Sequence, residues 1–164
     1  MEVLNIALQR EIEAENYYRE LAAQTEDIGL TNILNRLAQM EERHQRVVKA
    51  MIENNLDSSP EDDTFVADMK GLCKALEDNR SKPNLDDKQI ELYKHAKTRE
   101  LEAENLYSTA AEKAGDPAVA ALLNRLAAQE TMHAQILDSI IDFLAKAEPG
   151  GWLEDAEWYH TDVY

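Results

Sequence analysis

Residues 10–18 read REIEAENYY, and residues 99–107 read RELEAENLY. Farther along, Leu34-Asn35-Arg36-Leu37-Ala38 recurs as Leu123-Asn124-Arg125-Leu126-Ala127, and Glu41…His44 recurs as Glu130…His133. Every pair is offset by 89 residues, and between 7–44 and 96–133 the register holds without a gap, with 17 of 38 positions identical. An internal repeat of this length fixes the fold before any single element does. The chain is a duplicated unit, and each copy has to be one half of the architecture.

Apolar residues in both copies follow the helical period, and no stretch alternates as a strand would. The pattern predicts long helices at 2–26, 28–54, 86–114 and 117–147, so each copy is a helical hairpin. Asp116-Pro117 is a strong helix start, because Asp can cap free amides and Pro is tolerated in a first turn; Gly115 can end the helix before it. The first hairpin turns at the matching place, Glu26-Asp27. Residues 55–85 join the hairpins, and within them Phe65, Val66, Met69, Leu72, Cys73 and Leu76 recur at helical spacing. A direct antiparallel continuation needs only a short loop, so a link of this length predicts a crossover carrying a short helix, with the two hairpin turns at opposite ends of the bundle. The predicted organisation is hairpin 1 over 1–54, crossover over 55–85, hairpin 2 over 86–148 and an aromatic tail over 149–164.

Composition agrees with an all-α class. The chain has 164 residues, 44% of them hydrophobic, with only 5 Gly and 4 Pro, enough for a sizeable core and poor in turn formers. Thirty-three acids against seventeen bases give a formal charge of −16, which argues against nucleic acid or an anionic membrane as partner. A solvated acidic surface explains most of these carboxylates. The single cysteine, Cys73, excludes an intramolecular disulfide, a Cys-x-x-Cys zinc site and an all-cysteine iron–sulfur cluster within one chain. It reads as a small buried hydrophobe. With neither a signal-peptide pattern at Met1–Asn5 nor a membrane-length apolar run, the expected location is cytoplasmic.

The interior stripes contain acids. Helix 1 presents Leu4, Ala7, Glu11, Ala14, Tyr18 and Leu21 on one seam, and helix 2 presents Leu34, Leu37, Glu41, His44, Val48 and Met51. The second copy repeats this with Ala96, Glu100, Ala103 and Tyr107, then Leu126, Glu130, His133 and Leu137. An unpaired buried carboxylate costs several kcal/mol or takes up a proton, and these seams offer no Lys or Arg. Two residues of a hairpin face each other when equidistant from its turn. Glu11 and Glu41 are centred on residue 26, and Glu100 and Glu130 on residue 115, so all four sit about 22 Å from their own turn at roughly 1.5 Å per residue. Opposed turns bring them together at mid-bundle. In Glu41-x-x-His44 and Glu130-x-x-His133 the i, i+3 spacing puts carboxylate and imidazole on one face. Four glutamates and two histidines at one level make a site for two divalent metal ions.

Glu15 and Glu104 lie one turn beyond Glu11 and Glu100; positions flanking the seam are more often solvated than extra ligands. Glu13 and Glu102 fall on another face. Tyr18 and Tyr107 share the stripe of the glutamates, where packing with a hydrogen bond is the commoner role and one-electron donation the sharper one. His95 and His160 have no partner in the repeat and read as surface residues. The aromatic tail around Trp152, Trp158 and Tyr159 predicts docking on its own bundle or on a second subunit, and a homodimer is the expected assembly.

Taken together, Glu11…Tyr18, Leu37-Ala38…Glu41…His44, Ala96…Glu100…Tyr107 and Leu126-Ala127…Glu130…His133 resemble the rubrerythrin-like branch of the ferritin superfamily over nearly the whole chain. The resemblance implies a ferritin-like four-helix bundle with two iron ions, Glu11 and Glu100 terminal, and Glu41 and Glu130 bridging. It implies an oxidoreductase that reduces hydrogen peroxide or dioxygen in oxidative stress. Two departures narrow it. Rubrerythrins proper carry a further glutamate where this chain has Ala103, and a rubredoxin domain for which the single Cys73 does not suffice, so electrons are expected from an external donor protein. The six-ligand set also resembles bacterioferritin. Ferroxidase or iron-storage activity, a metal-bound module without turnover and a dimanganese catalase-like site are the alternatives, since these ligands do not separate iron from manganese.

Overall fold

The computed structural model describes residues 2–78 and 85–145. The described residues form five helices and no strand: α1 (Glu2–Gln24), α2 (Ile28–Ile52), α3 (Phe65–Asp78), α4 (Asp87–Lys113) and α5 (Pro117–Ala145). The expected all-α class holds, each of the four long helices falls within two residues of its predicted limits, and the crossover carries the expected short helix. The tail over 149–164, with His160, lies outside the described residues.

Local chemistry sets the boundaries. Asp27 caps α2 by accepting from the Leu30 amide at 2.8 Å. Asp86 caps α4 in a reciprocal capping box with Gln89, which satisfies two of the free amides of that first turn. Asp116 accepts from the Ala118 amide at 2.8 Å, as its position before Pro117 predicts. Helix α2 ends on Asn54, whose φ of 60° lies in the left-handed region. The Asn55 amide donates to the Ala50 carbonyl at 2.8 Å and the Asn54 amide to Met51 at 3.0 Å, the double closure of a Schellman end. Helix α4 ends just before Gly115, as expected, with Ala114 as its cap in extended backbone; no described glycine has positive φ. Gly29 matters for another reason, because a Cβ there would meet Leu76 Cδ1 at 2.9 Å. The start of α2 and the end of α3 are in that close contact.

Helices α1 and α2 pair, as do α4 and α5, and α1 runs antiparallel to α4. The antiparallel sense is visible in the pairs Arg10–Glu102 and Tyr17 Oη–Leu92 carbonyl, 3.1 and 2.9 Å apart. Leu21, Gln24 and Thr25, at the first hairpin turn, surround one small cavity with Leu85, Gln89 and Tyr93 from the start of α4. The link from α2 to α4 therefore travels back along the bundle, and the two hairpin turns lie at opposite ends, as expected of a crossover.

That arrangement divides the apolar core into two clusters. One gathers Tyr18, Leu30, Leu34, Leu37, Tyr93, Leu137 and Phe143 near the first turn, together with Phe65, Met69, Cys73 and Leu76 of α3. The other gathers Ala7, Val47, Val48, Tyr107, Leu122, Leu123 and Leu126 near the second. Cys73 is fully buried, and burial, helped by the charge of Glu77, pushes its thiol up to about 12. It is a packing residue, not a nucleophile.

Two repeat-related arginines hold the crossover. Arg36 donates to Asp62 at 2.9 Å and to Asp68 at 3.0 Å and lies over the Phe65 ring, 5.0 Å from its centroid. Arg125 donates to Glu61 at 2.8 Å and to the Ser59 hydroxyl at 2.9 Å. Partial burial works against the Glu61 carboxylate, but the bonds from Arg125, Ser59 and its own backbone together outweigh it and hold the group down to about 2. Asp62 is held to about 2 by the Thr64 amide first and by Arg36 after it. Both acids have folded-state values below their free ones, so this attachment is complete at neutral pH and drains only as the pH falls from about 4 through about 2. Protection from hydrogen exchange over 55–64, taken against the intrinsic rate at each pH, should therefore be present at pH 5 and lost near pH 2. In Arg36→Ala/Arg125→Ala it should already be lost at pH 5 while the four long helices stay protected.

Candidate metal centre

Between the two apolar clusters lies a layer of six polar side chains. Helix α1 supplies Glu11, α2 supplies Glu41 and His44, α4 supplies Glu100, and α5 supplies Glu130 and His133. None is more than 2% exposed. Each sits on the core-facing stripe of its helix, so the helical period that buries Leu37 and Leu126 also buries the acids one turn later.

The layer has a two-fold pattern. His44 Nδ1 lies 2.9 Å from Glu130 Oε1, and His133 Nδ1 lies 2.8 Å from Glu41 Oε1. His44 Nδ1 is 3.5 Å from Glu11 and 3.7 Å from Glu41, while His133 Nδ1 is 3.7 Å from Glu100 and 3.5 Å from Glu130. Donor atoms of Glu11, Glu41, His44 and Glu130 all lie within 4.8 Å of one another, as do those of Glu41, Glu100, Glu130 and His133. Glu41 and Glu130 belong to both groups. The two rings stack, 5.4 Å apart and inclined at 11°.

These short approaches are not hydrogen bonds. Glu41 Oε1, both Glu130 oxygens and all four imidazole nitrogens are buried without a hydrogen-bonding partner of acceptable alignment. Orphaned buried polar atoms at this density are costly. Their spacing is nonetheless that of neighbouring donors on one ion: with bonds near 2.1 Å at right angles, adjacent ligand atoms lie about 3 Å apart. Carboxylate oxygen and imidazole nitrogen are also the donor types that iron and manganese accept. The six residues fit two metal ions, with Glu41 and Glu130 placed to reach both.

Without metal the charges are balanced by protons. Burial, and then the charge of Glu130 on Glu11 and of Glu41 on Glu100, raises both terminal carboxyls well above the ordinary range. Burial opposes ionisation of Glu41 and Glu130 as well, but the imidazoles of His133 and His44 prevail and hold both low. Burial works against charging the histidines; the carboxylates around them, Glu130 for His44 and Glu41 for His133, push both well above their usual value. The surrounding carboxylates thus favour a positive charge on each ring.

The tyrosines cross between the hairpins. Tyr18 Oη donates to Glu100 Oε1 and Tyr107 Oη donates to Glu11 Oε1, so each phenol holds the terminal glutamate of the other copy. Both phenols are about 1% exposed, and burial followed by the adjacent carboxylate charge raises them well above their usual value. Glu15 and Glu104 lie outside both donor groups. Glu15 accepts from Gln45 Nε2 at 2.6 Å and Arg19 at 2.8 Å, and Glu104 from Ser108 at 2.8 Å. His95 is exposed against the Tyr17 ring.

Two neighbours were not anticipated from the sequence. Phe65 of α3 packs against the His133 ring, with centroids 5.5 Å apart. Gln45, 7% exposed, donates to the Glu11 carbonyl at 3.4 Å as well as to Glu15. Gln45 could have been suspected because a polar residue beside a ligand on a core helix needs a partner; Phe65 carried no signal beyond its apolar spacing.

The rubrerythrin family model matches residues 2–141, which take in α1 to α4, α5 up to Ile141 and the six-residue layer. The chain belongs to the rubrerythrin family. Comparison with curated proteins and with solved structures gave no match. Membership of the rubrerythrin family implies iron binding, consistent with the donor set. No helix among the described residues is long and apolar enough to cross a membrane.

Two outcomes are expected. Binding of two divalent ions at pH 6.5 should release at least two protons per chain, because both imidazoles must lose theirs to bind; titration calorimetry with Mn²⁺ in buffers of different ionisation enthalpy measures this, and zero release would contradict the charge balance described. Tyr18→Phe and Tyr107→Phe should each lower the stability of the metal-free protein by about 1–3 kcal/mol through loss of a buried donor. Urea unfolding should give similar values for the two.

Proposed function

We propose that this chain is a di-iron oxidoreductase that reduces hydrogen peroxide or dioxygen and is re-reduced by an external electron-donor protein. The observation that carries the reading is the pair of overlapping donor groups that share Glu41 and Glu130. A shared carboxylate pair is what holds two ions close enough to act on one small molecule. When bound, the ferrous pair would supply one electron per ion, which with two protons converts one peroxide to two waters.

The chain's own groups have distinct parts. Glu41 and Glu130 would hold both ions, Glu11 with His44 one of them, and Glu100 with His133 the other. Tyr18 and Tyr107 fix the terminal carboxyls by hydrogen bonds, so their role is orientation. Leu37 and Leu126, each one turn before a shared glutamate and fully buried, help keep water from the layer. Low dielectric there strengthens the hold of the carboxylates on any cation. The homodimer belongs to this proposal as the expected assembly.

The test begins with metal content after anaerobic reconstitution, where two iron ions per chain are expected and fewer than one would sink the reading. Stopped-flow absorbance after adding peroxide to the ferrous protein should then show rapid oxidation at about one peroxide per chain. Repeated turnover with an added reductant separates an oxidoreductase from a protein that merely oxidises iron once. Glu41→Ala should reduce metal content below one ion per chain with helicity unchanged, because the apolar replacement removes a buried charge instead of creating one. Loss of fold with retained affinity would contradict it.

A further inference from the structure

A groove of about 610 Å³ runs between α1 and α4. Its floor is formed by Glu11, Glu41, Glu100 and Glu130, the four carboxylates of the centre, while neither histidine reaches it. Against the His133 ring, away from that floor, packs Phe65. The carboxylate face thus has an adjoining space, and one imidazole is backed by the crossover helix.

Ala14 and Ala103, equivalent positions of the repeat, line the groove along with the carboxylates. A longer side chain at either place would extend into the space over the floor. At the mouth, the same repeat brings two ion pairs together: Arg10 with Glu102 at 3.1 Å, and Arg99 with Glu13 at 3.5 Å. In a chain of net charge −16, an unmodified mouth would be acidic and would concentrate cations. Glu13 and Glu102 instead each face an arginine, while Glu2, which also lines the groove, is exposed.

We propose that this groove is the route to the centre, with Ala14 and Ala103 as its throat and the two Arg–Glu pairs neutralising its mouth so that a small uncharged oxidant, hydrogen peroxide, is admitted in preference to cations. The proposal rests on the di-metal reading of the six residues. It also separates two uses of such a centre: a ferroxidase must pass an ion through the mouth at every turnover, whereas a peroxide-reducing protein passes a neutral molecule.

Three measurements test it: equilibrium Co²⁺ titration of the metal-free protein, stopped-flow Co²⁺ association, and the rate of peroxide oxidation of the ferrous protein. Ala14→Leu/Ala103→Leu should slow both rates by at least about tenfold, as narrowing a gate does, with two Co²⁺ still bound at equilibrium. Arg10→Gln/Arg99→Gln leaves two uncompensated acids at the mouth. It should raise the ratio of Co²⁺ association rate to peroxide rate at least about fivefold at low salt, and screening near 0.5 M salt should abolish the gain. The Arg10 and Arg99 side chains are 41% and 27% exposed, outside the buried core, so this variant carries the test even where the leucines disturb folding. Wild-type rates in the leucine variant with full Co²⁺ stoichiometry would overturn the route. An unchanged ratio in the arginine variant would overturn the charge selectivity. Wild-type protein that takes up less than one Co²⁺ per chain would refute the di-metal reading itself, and the route with it.

Discussion

The constraint on which the rest of the structure depends is the burial of four carboxylates in one layer of a helical core. Removing such groups from water costs several kcal/mol each unless a positive partner is in contact. No lysine or arginine lies in the layer, so the fold brings the two imidazoles there. In the protein without metal they act as cations opposite Glu130 and Glu41, and the carboxyls of Glu11 and Glu100 are pushed towards their neutral form. The same layer separates the core into two apolar clusters. Leucine packing at both ends therefore holds together a centre in which Glu41 Oε1, both Glu130 oxygens and the four imidazole nitrogens lack an aligned hydrogen-bonding partner.

Duplication lets one solution serve twice. Three contacts between the copies come with a twin: Tyr18–Glu100 with Tyr107–Glu11, His44–Glu130 with His133–Glu41, Arg10–Glu102 with Arg99–Glu13. Antiparallel packing of α1 on α4 makes this automatic. If residue i of the first copy meets residue j of the second, the two-fold relation brings their repeat partners together as well. Opposed hairpin turns are needed for that relation, and the crossover supplies them. Arg36 and Arg125 are twins too, but their partners are Asp62, Asp68, Glu61 and Ser59 of a segment present only once. A repeated residue has thus been put to use holding the one unrepeated element.

Much of this was legible because it followed from period and spacing. The helical stripe located the six polar residues, the equal distances from residues 26 and 115 placed the glutamates at one level, and the length of 55–85 required a crossover. What could not be read depended on partners outside the repeat or on empty space. Phe65 looked like any apolar residue of a short helix, since nothing in its spacing says which ring it meets. The arginines of the two Leu-Asn-Arg-Leu-Ala runs served only to fix the register. Glu13 and Glu102 were correctly placed off the seam, but their arginines came from the other hairpin, a pairing that the period within one helix does not reveal.

The twins diverge immediately outside the layer. Tyr17 is matched by Leu106, so the Arg99 guanidinium lies over a ring, 5.4 Å from its centroid, where the Arg10 side has an aliphatic residue. Gln45 is matched by Ala134, so the polar link through Glu15 to the Glu11 carbonyl belongs to one copy only. This pattern is physically reasonable. A ligand must supply a given donor atom at a given place, and the repeat can change neither. A residue behind it need only fill volume and satisfy its own hydrogen bonds, which several side chains can do. Such outer residues still set dielectric and ligand orientation. A pair of ions held by matched donors would therefore lie in unmatched surroundings, with an aromatic ring packed behind His133 and a glutamine–glutamate pair beside Glu11.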